Sequence, residues 1–199
     1  MSQDGVVNTG RRRFLIGATS VVGAAGAVGV ATPFVRSWNP SARAKAAGAP
    51  VELNIAKLEE GQQIVAEWRG KPVFIVRRSQ DMLENISAVS DKLLDPESSN
   101  ADQQPKYAQN EYRSRQPDIV VLIGICTHLG CSPKYHPEVK PMSFDADWRG
   151  GYYCPCHGSK FDLAGHVYKG VPAPSNLEVP PHSFKGDGVL VIGVDEENA

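Results

Sequence analysis

A chain of 199 residues with 41% hydrophobic and 22% charged side chains has the make-up of one ordinary globular domain with added segments, which excludes a disordered or fibrous protein. Its formal net charge of -1 and its scattered lysines and arginines argue against a nucleic-acid surface or an acidic substrate. Only four cysteines occur, all between Cys126 and Cys156 and each close to another cysteine and a histidine, which is the pattern of a metal site with something added rather than of a disulfide scaffold.

At the N-terminus, Arg11-Arg12-Arg13-Phe14-Leu15 opens a run without charge over residues 14–35. As a helix that run is about 33 Å long, enough to cross a hydrocarbon core of roughly 30 Å. It is rich in Gly and Ala and only mildly apolar, which suits a twin-arginine export signal, a route that carries folded proteins and so proteins already holding a cofactor. Flanking positive charges tie, with Arg11, Arg12 and Arg13 before the run and Arg36, Arg43 and Lys45 after it. The twin-arginine reading breaks the tie with the N-terminus inside. A retained anchor is expected; cleavage after Ala42-Arg43-Ala44 is the alternative. Residues 37–50, rich in Pro, Ala, Gly and Ser, read as a linker that either swings or forms helix.

From residue 51 onward, runs of strand length rich in branched and aromatic residues recur between Gly, Pro and Asp: 63–68, 72–77, 119–125 and 189–194. Gly186-Asp187-Gly188 suits a hairpin turn before the last of them. Between the second and third, Ser79 is placed to cap a helix from about Met82 to Leu94, stopped by Asp95-Pro96, with Met82, Leu83 and Ile86 as its packing face. The polar stretch 98–115 completes an insertion. The expectation is a mainly β domain.

Two boxes carry the chemistry: Cys126-Thr127-His128-Leu129-Gly130-Cys131 and Cys154-Pro155-Cys156-His157-Gly158-Ser159. Each supplies a Cys and a His, the first as C-x-H and the second as C-x2-H. Two thiolates with two imidazoles are the ligand set of a Rieske-type 2Fe-2S centre. Tetrahedral zinc takes the same donors, but leaves the second cysteine of each box and the short first spacing unexplained. His136, His166 and His182 read as ordinary loop histidines, and Tyr152 and Tyr153 as strand residues near the site.

With these boxes, the downstream Gly170-Val171-Pro172-Ala173-Pro174 and Asn176-Leu177, the twin-arginine segment and the linker, the sequence resembles the Rieske iron–sulfur subunit of bacterial cytochrome bc1 complexes over essentially its whole length. The resemblance implies an antiparallel β-sandwich with an inserted cluster-binding subdomain at about 125–175, preceded by a single transmembrane helix. It divides the chain into a cytoplasmic N-terminus (1–13), an anchor (14–36), a hinge linker (37–50) and the Rieske domain (51–199). It further implies one 2Fe-2S cluster held by Cys126 and Cys154 on the buried iron and by His128 and His157 on the exposed iron. A disulfide between Cys131 and Cys156 then clamps the two loops, and this agrees with an oxidising compartment outside a bacterial inner membrane.

Neutral imidazoles in place of two thiolates make reduction easier; such centres lie at roughly -150 to +300 mV. Ferric iron lowers the pKa of a bound imidazole and reduction relieves this, so proton and electron uptake are coupled. The resemblance makes His157 the quinol contact, gives Ser159 a hydrogen bond to a cluster sulfur, and gives the Pro-rich segment the role of covering the cluster. The chain departs from the family at Phe161, where many members have a tyrosine whose hydroxyl reaches a cysteine sulfur. The expected partners are cytochrome b, cytochrome c1, ubiquinol and the membrane, in a dimeric complex and without nucleic acid. Competing readings are the Rieske small subunit of a periplasmic oxidase such as arsenite oxidase, a Rieske module of a ring-hydroxylating oxygenase or its ferredoxin, and a zinc module. The cysteine pair and the anchor count against the oxygenase class.

Overall fold

The computed structural model describes residues 8–186 and 188–195, and the chain divides into two units at residues 46 and 47. In the first, helix α1 spans Thr9–Ser37. The Asn8 side chain caps it by accepting from the Arg11 N–H at 3.0 Å, so the helix starts ahead of the apolar run. Its apolar side chains are exposed, and it is long and apolar enough to cross a membrane. Thr19 and Thr32, polar residues within it, donate their hydroxyls to the carbonyls of Leu15 and Val28, each at 2.7 Å, which removes the cost of carrying them into an apolar medium. Part of the linker is helical, as α2 at Ala42–Ala47. Residues 1–7 of the expected cytoplasmic segment lie outside the described residues.

The second unit is built of β1 (Val51–Asn54), β2 (Gln63–Trp68), β3 (Lys71–Arg77), helix α3 (Gln80–Ala88), β4 (Ile119–Ile123), β5 (Lys134–Val139), β6 (Arg149–Tyr153), β7 (Lys160–Phe161), β8 (His182–Lys185) and β9 (Val189–Ile192). The strands form three antiparallel three-stranded sheets, ordered β1-β9-β8, β2-β3-β4 and β5-β6-β7. The mainly β expectation holds, and the sandwich consists of three sheets.

The middle sheet explains why β3 and β4 show no alternation of apolar and polar residues. Val73, Ile75, Ile119, Val121 and Ile123 enter one apolar cluster with Leu190 and Ile192 of β9. Phe74, Val76, Val120 and Leu122 enter another with Tyr152, Phe161, Cys126 and Cys154. Successive side chains point to opposite faces of a strand, and here both faces are buried. The middle sheet is therefore the rigid wall on which the cluster loops rest.

Three boundaries differ from expectation. Helix α3 ends at Ala88 instead of near Leu94, because Leu93 bridges to Tyr168 and the Leu94 N–H donates to the Val167 carbonyl at 2.9 Å; Met82 and Ile86 are its buried face as expected. Strand β4 stops at Ile123, before Gly124, where a Cβ would lie 2.4 Å from the Phe74 ring. Strand β9 stops at Ile192, and Asp187 of the expected turn lies outside the described residues. Stretch 98–115 is an irregular insertion with short 3-10 turns, as expected, and Ser98, Ala108, Arg113 and Ser114 within it are buried.

Candidate metal centre

Strand β4 leads into the first box and β6 directly into the second, and the two loops share one backbone pattern. The Cys126 N–H donates to the Cys131 carbonyl at 2.7 Å and the Gly130 N–H to the Cys126 carbonyl at 3.0 Å. In the second loop the Cys154 N–H donates to the Ser159 carbonyl at 2.8 Å and the Gly158 N–H to the Cys154 carbonyl at 2.9 Å. Gly130 and Gly158 both have positive φ, 84° and 80°, a conformation that a Cβ disfavours. Ser159 thus holds in its loop the place that Cys131 holds in the other.

These loops bring the seven expected residues together. Cys131 and Cys156 form a disulfide with Cα atoms 6.6 Å apart, leaving Cys126 and Cys154 as free, buried thiols. The rings of His128 and His157 lie 4.8 Å apart, edge to face at 88°; His157 is exposed and His128 half-buried. The sulfurs of Cys131, Cys154 and Cys156 lie within 4.8 Å of one another, but two of them are bonded together and cannot act as thiolates. The available donors are therefore two thiols at the buried end and two imidazoles toward the surface. That donor set fits a 2Fe-2S group of Rieske ligation. Burial pushes the Cys126 thiol pKa up, while the His128 N–H and the Ser159 hydroxyl pull it back.

The Pro-rich segment is tied to both loops. Thr127 Oγ1, in the first box, donates to the Ser175 carbonyl at 2.7 Å, and the Ala173 N–H donates to Ser159 Oγ, in the second, at 3.1 Å. Ser159 Oγ accepts there, which leaves its own proton to donate toward the Cys126 sulfur. Asn176 fastens the far end: its Oδ1 accepts from the Val167 N–H at 2.8 Å and its Nδ2 donates to the Asp95 carbonyl at 3.1 Å. Leu129, at the tip of the first box, is 71% exposed.

Phe161 lies in the apolar cluster that includes Cys126 and Cys154, across from Tyr152 in the ladder. Tyr152 and Tyr153 are strand residues of β6 as expected. Tyr152 is buried with its hydroxyl unpartnered, and Tyr153 stacks on Phe144 at 3.9 Å. The three outlying histidines are not ordinary loop residues: His136 lies in β5, and His166 and His182 are buried. Sequence reasoning also missed two arginines beneath the site, Arg78 and Arg113, both buried, with burial lowering each pKa to about 10. Only the Asp162-x3-His166 spacing could have hinted at this buried polar layer.

Residues 1–41 match the family described as the ubiquitinol-cytochrome C reductase Fe-S subunit TAT signal, and residues 104–181 match the Rieske [2Fe-2S] domain. The chain is 55% identical over 199 residues to the ubiquinol-cytochrome c reductase iron-sulfur subunit of Allochromatium vinosum, covering 100% of this chain and 95% of the relative. This chain belongs to that family of Rieske iron–sulfur subunits. The Blastochloris viridis subunit of the same name is 40% identical over 194 residues, covering 97% and 98% of the two chains. A chain of a hyperthermophilic respiratory complex III matches at 26% identity with a TM-score of 0.46, covering 86% and 96%. The Rieske cofactor is one 2Fe-2S cluster, and the export-signal match together with α1 makes this Rieske subunit membrane-anchored. The reading as an arsenite oxidase small subunit is not favoured by these relatives.

Proposed function

We propose that this chain is the electron-transfer subunit of a quinol–cytochrome c oxidoreductase, a bc1 complex, taking an electron and a proton from quinol at the Qo site and passing the electron to cytochrome c1. The observation that carries the reading is the gradient across the site: free thiols buried below, one imidazole half-buried, and the His157 ring exposed. Cys126, Cys154, His128 and His157 would hold the cluster. When bound, the cluster supplies a one-electron acceptor in the range of roughly -150 to +300 mV.

The chain's own residues do the rest. His157 offers a ring nitrogen to the quinol hydroxyl and receives its proton; Leu129, exposed at the tip of the first box, presents an apolar surface to the quinol pocket. Ser159 would donate its hydroxyl to a sulfur of the bound cluster, which would favour the more negative state. The Pro-rich cover, held by Thr127 and Ser159, limits water at the buried end. The Cys131–Cys156 disulfide holds the two loops together.

Residues 1–13 stand in the cytoplasm, 14–36 anchor the chain in the bacterial inner membrane, 37–50 act as a hinge, and 51–199, whose last four residues lie outside the described ones, form the periplasmic Rieske domain. The disulfide supports an oxidising side. The partners are cytochrome b, cytochrome c1 and ubiquinol in a dimeric complex.

A redox titration followed by electron paramagnetic resonance tests the reading. A Rieske signal whose potential falls at alkaline pH is expected, with cytochrome b copurifying; a silent, zinc-bearing sample would overturn it.

A further inference from the structure

Behind the second cluster loop lies a buried polar layer that the electron-transfer reading does not use. His166, 1% exposed, sits at the end of a tight turn that starts at Asp162. One Asp162 carboxylate oxygen accepts from the Ala164 and His166 N–H groups at 2.9 and 2.7 Å, and the other meets His166 Nδ1 at 2.9 Å. On the far side of the ring, His166 Nε2 lies 3.3 Å from the Ser98 hydroxyl. The imidazole thus has a carboxylate on one nitrogen and, on the other, a hydroxyl that can accept as well as donate. Such an arrangement accommodates both the neutral and the charged ring.

The site is also reachable by water. His166 lines a cavity of about 120 Å³ with Ser87, Ser90, Pro96, Glu97 and Glu111, room for several water molecules. Glu97 and Glu111, both exposed, stand at its mouth. The charged groups that face the ring come from every packed segment. Asp162 is on its own turn, while Asp95 and Glu97 lie on the segment after α3. Glu111 and Arg113 lie on the segment before β4, and Arg78 at the end of β3 acts on Asp162. Arg113 donates to the Gly165 carbonyl at 3.3 Å, holding the turn from below.

This layer borders the apolar cluster that contains the thiols. Val167, the residue after His166, packs in the cluster that contains Cys126 and Cys154, and it bridges to Phe161. Across such a medium a charge is felt much more strongly than across water.

We propose that His166, held between Asp162 and Ser98 and fed through this cavity, is a second proton-binding site, separate from the cluster ligands and coupled to reduction of the cluster. The inference rests on the cluster reading above. Reduction adds one electron to the site, and His166 takes one proton from solvent water through the cavity; oxidation returns it by the same path. Linkage is reciprocal, so protonation of His166 raises the electron affinity of the cluster by the factor by which reduction raises the proton affinity of His166. A factor of about 5, the lower end of ordinary coupling between sites, is expected.

The experiment is potentiometry on the purified complex carrying the full-length subunit, from pH 5 to 8, the range in which imidazoles change charge, and on into the alkaline range. The wild-type potential should rise as pH falls through an acidic step in addition to the alkaline fall due to the ligand histidines. His166→Gln should remove the acidic step and keep the alkaline fall; His166→Arg, with a fixed charge, should also be flat over the acidic range, at the higher level. Glu97→Gln combined with Glu111→Gln, both at the exposed mouth, should leave the fold intact and move the acidic step to lower pH. A wild-type potential flat from pH 5 to 7, a step that survives in His166→Gln, or a step unmoved by the two rim substitutions overturns the proposal. Loss of the alkaline fall as well would overturn the cluster reading itself, so the two failures are distinguishable.

Discussion

The Phe161 ring is packed with Cys126 and Cys154 in one apolar cluster, at the position where the family resemblance implies a tyrosine hydroxyl within reach of a cysteine sulfur. Phe161→Tyr adds a donor where the neighbours are thiols. If the new bond is about 1 kcal/mol stronger in the reduced state, the potential rises by about 40 mV, since tenfold in equilibrium is 59 mV for one electron. An unchanged potential in an electrochemical titration would reject this donor role. His182 belongs to stability instead. It is fully buried at the start of β8, its Nδ1 lies 2.9 Å from the Pro180 carbonyl, and its Nε2 has no partner. Burial lowers its pKa to about 4, with the Pro180 hydrogen bond opposing. The unfolded chain, with an ordinary histidine near 6.5, therefore binds the proton first as pH falls, and the folded state loses stability between about pH 6.5 and 4. Denaturant unfolding should show a loss of about 2 kcal/mol from pH 7 to pH 5 attributable to this group. His182→Gln should remove that part of the slope.

The two cluster loops and the Pro-rich segment act as one element because the ties between them are few and specific. Thr127→Val keeps the shape of the side chain but loses its hydrogen bond to the Ser175 carbonyl, at a cost of about 1 kcal/mol. Amide exchange over residues 170–176 should then speed up about five-fold while the paramagnetic signal persists; unchanged exchange would show that Thr127 does not hold the cover. The close approach of β6 and β7 has a different origin. At Gly151, with φ of 139°, a Cβ would lie 2.1 Å from the Phe161 carbonyl oxygen, so no other residue lets the strands meet there. Gly151→Ala should destabilise the domain by more than about 3 kcal/mol in thermal or denaturant unfolding, because both the backbone conformation and the space are unavailable to it.

For the whole molecule, the break between α1 and α2 is four residues, Trp38 to Ser41. If the segment is a working hinge, replacing Asn39, Pro40 and Ser41 by alanine joins good helix formers on both sides. Turnover should slow several-fold while the cluster signal is retained; normal turnover would argue against a moving domain. How much of this protein can be read without its fold follows from the range of each interaction. The export motif, the apolar run, the ligand boxes and strand β2 are written in neighbouring residues, because periodicity and ligand spacing are local properties. Strands β5 and β7 were not foreseen: β5 runs through a proline with a bulged register, and β7 has only two residues. Their pairing comes from the loops they brace. Buried Arg78, Arg113 and His166 also lie beyond sequence reasoning, since polar side chains enter a core only where distant carbonyls and carboxylates meet them. By itself the sequence pointed to the cofactor class through its two Cys-His boxes, because residue type and spacing are local properties. The tertiary structure decided which thiols stay free, which imidazole faces outward and which polar groups lie behind the cluster, because burial and partner choice depend on contacts between segments far apart in the chain.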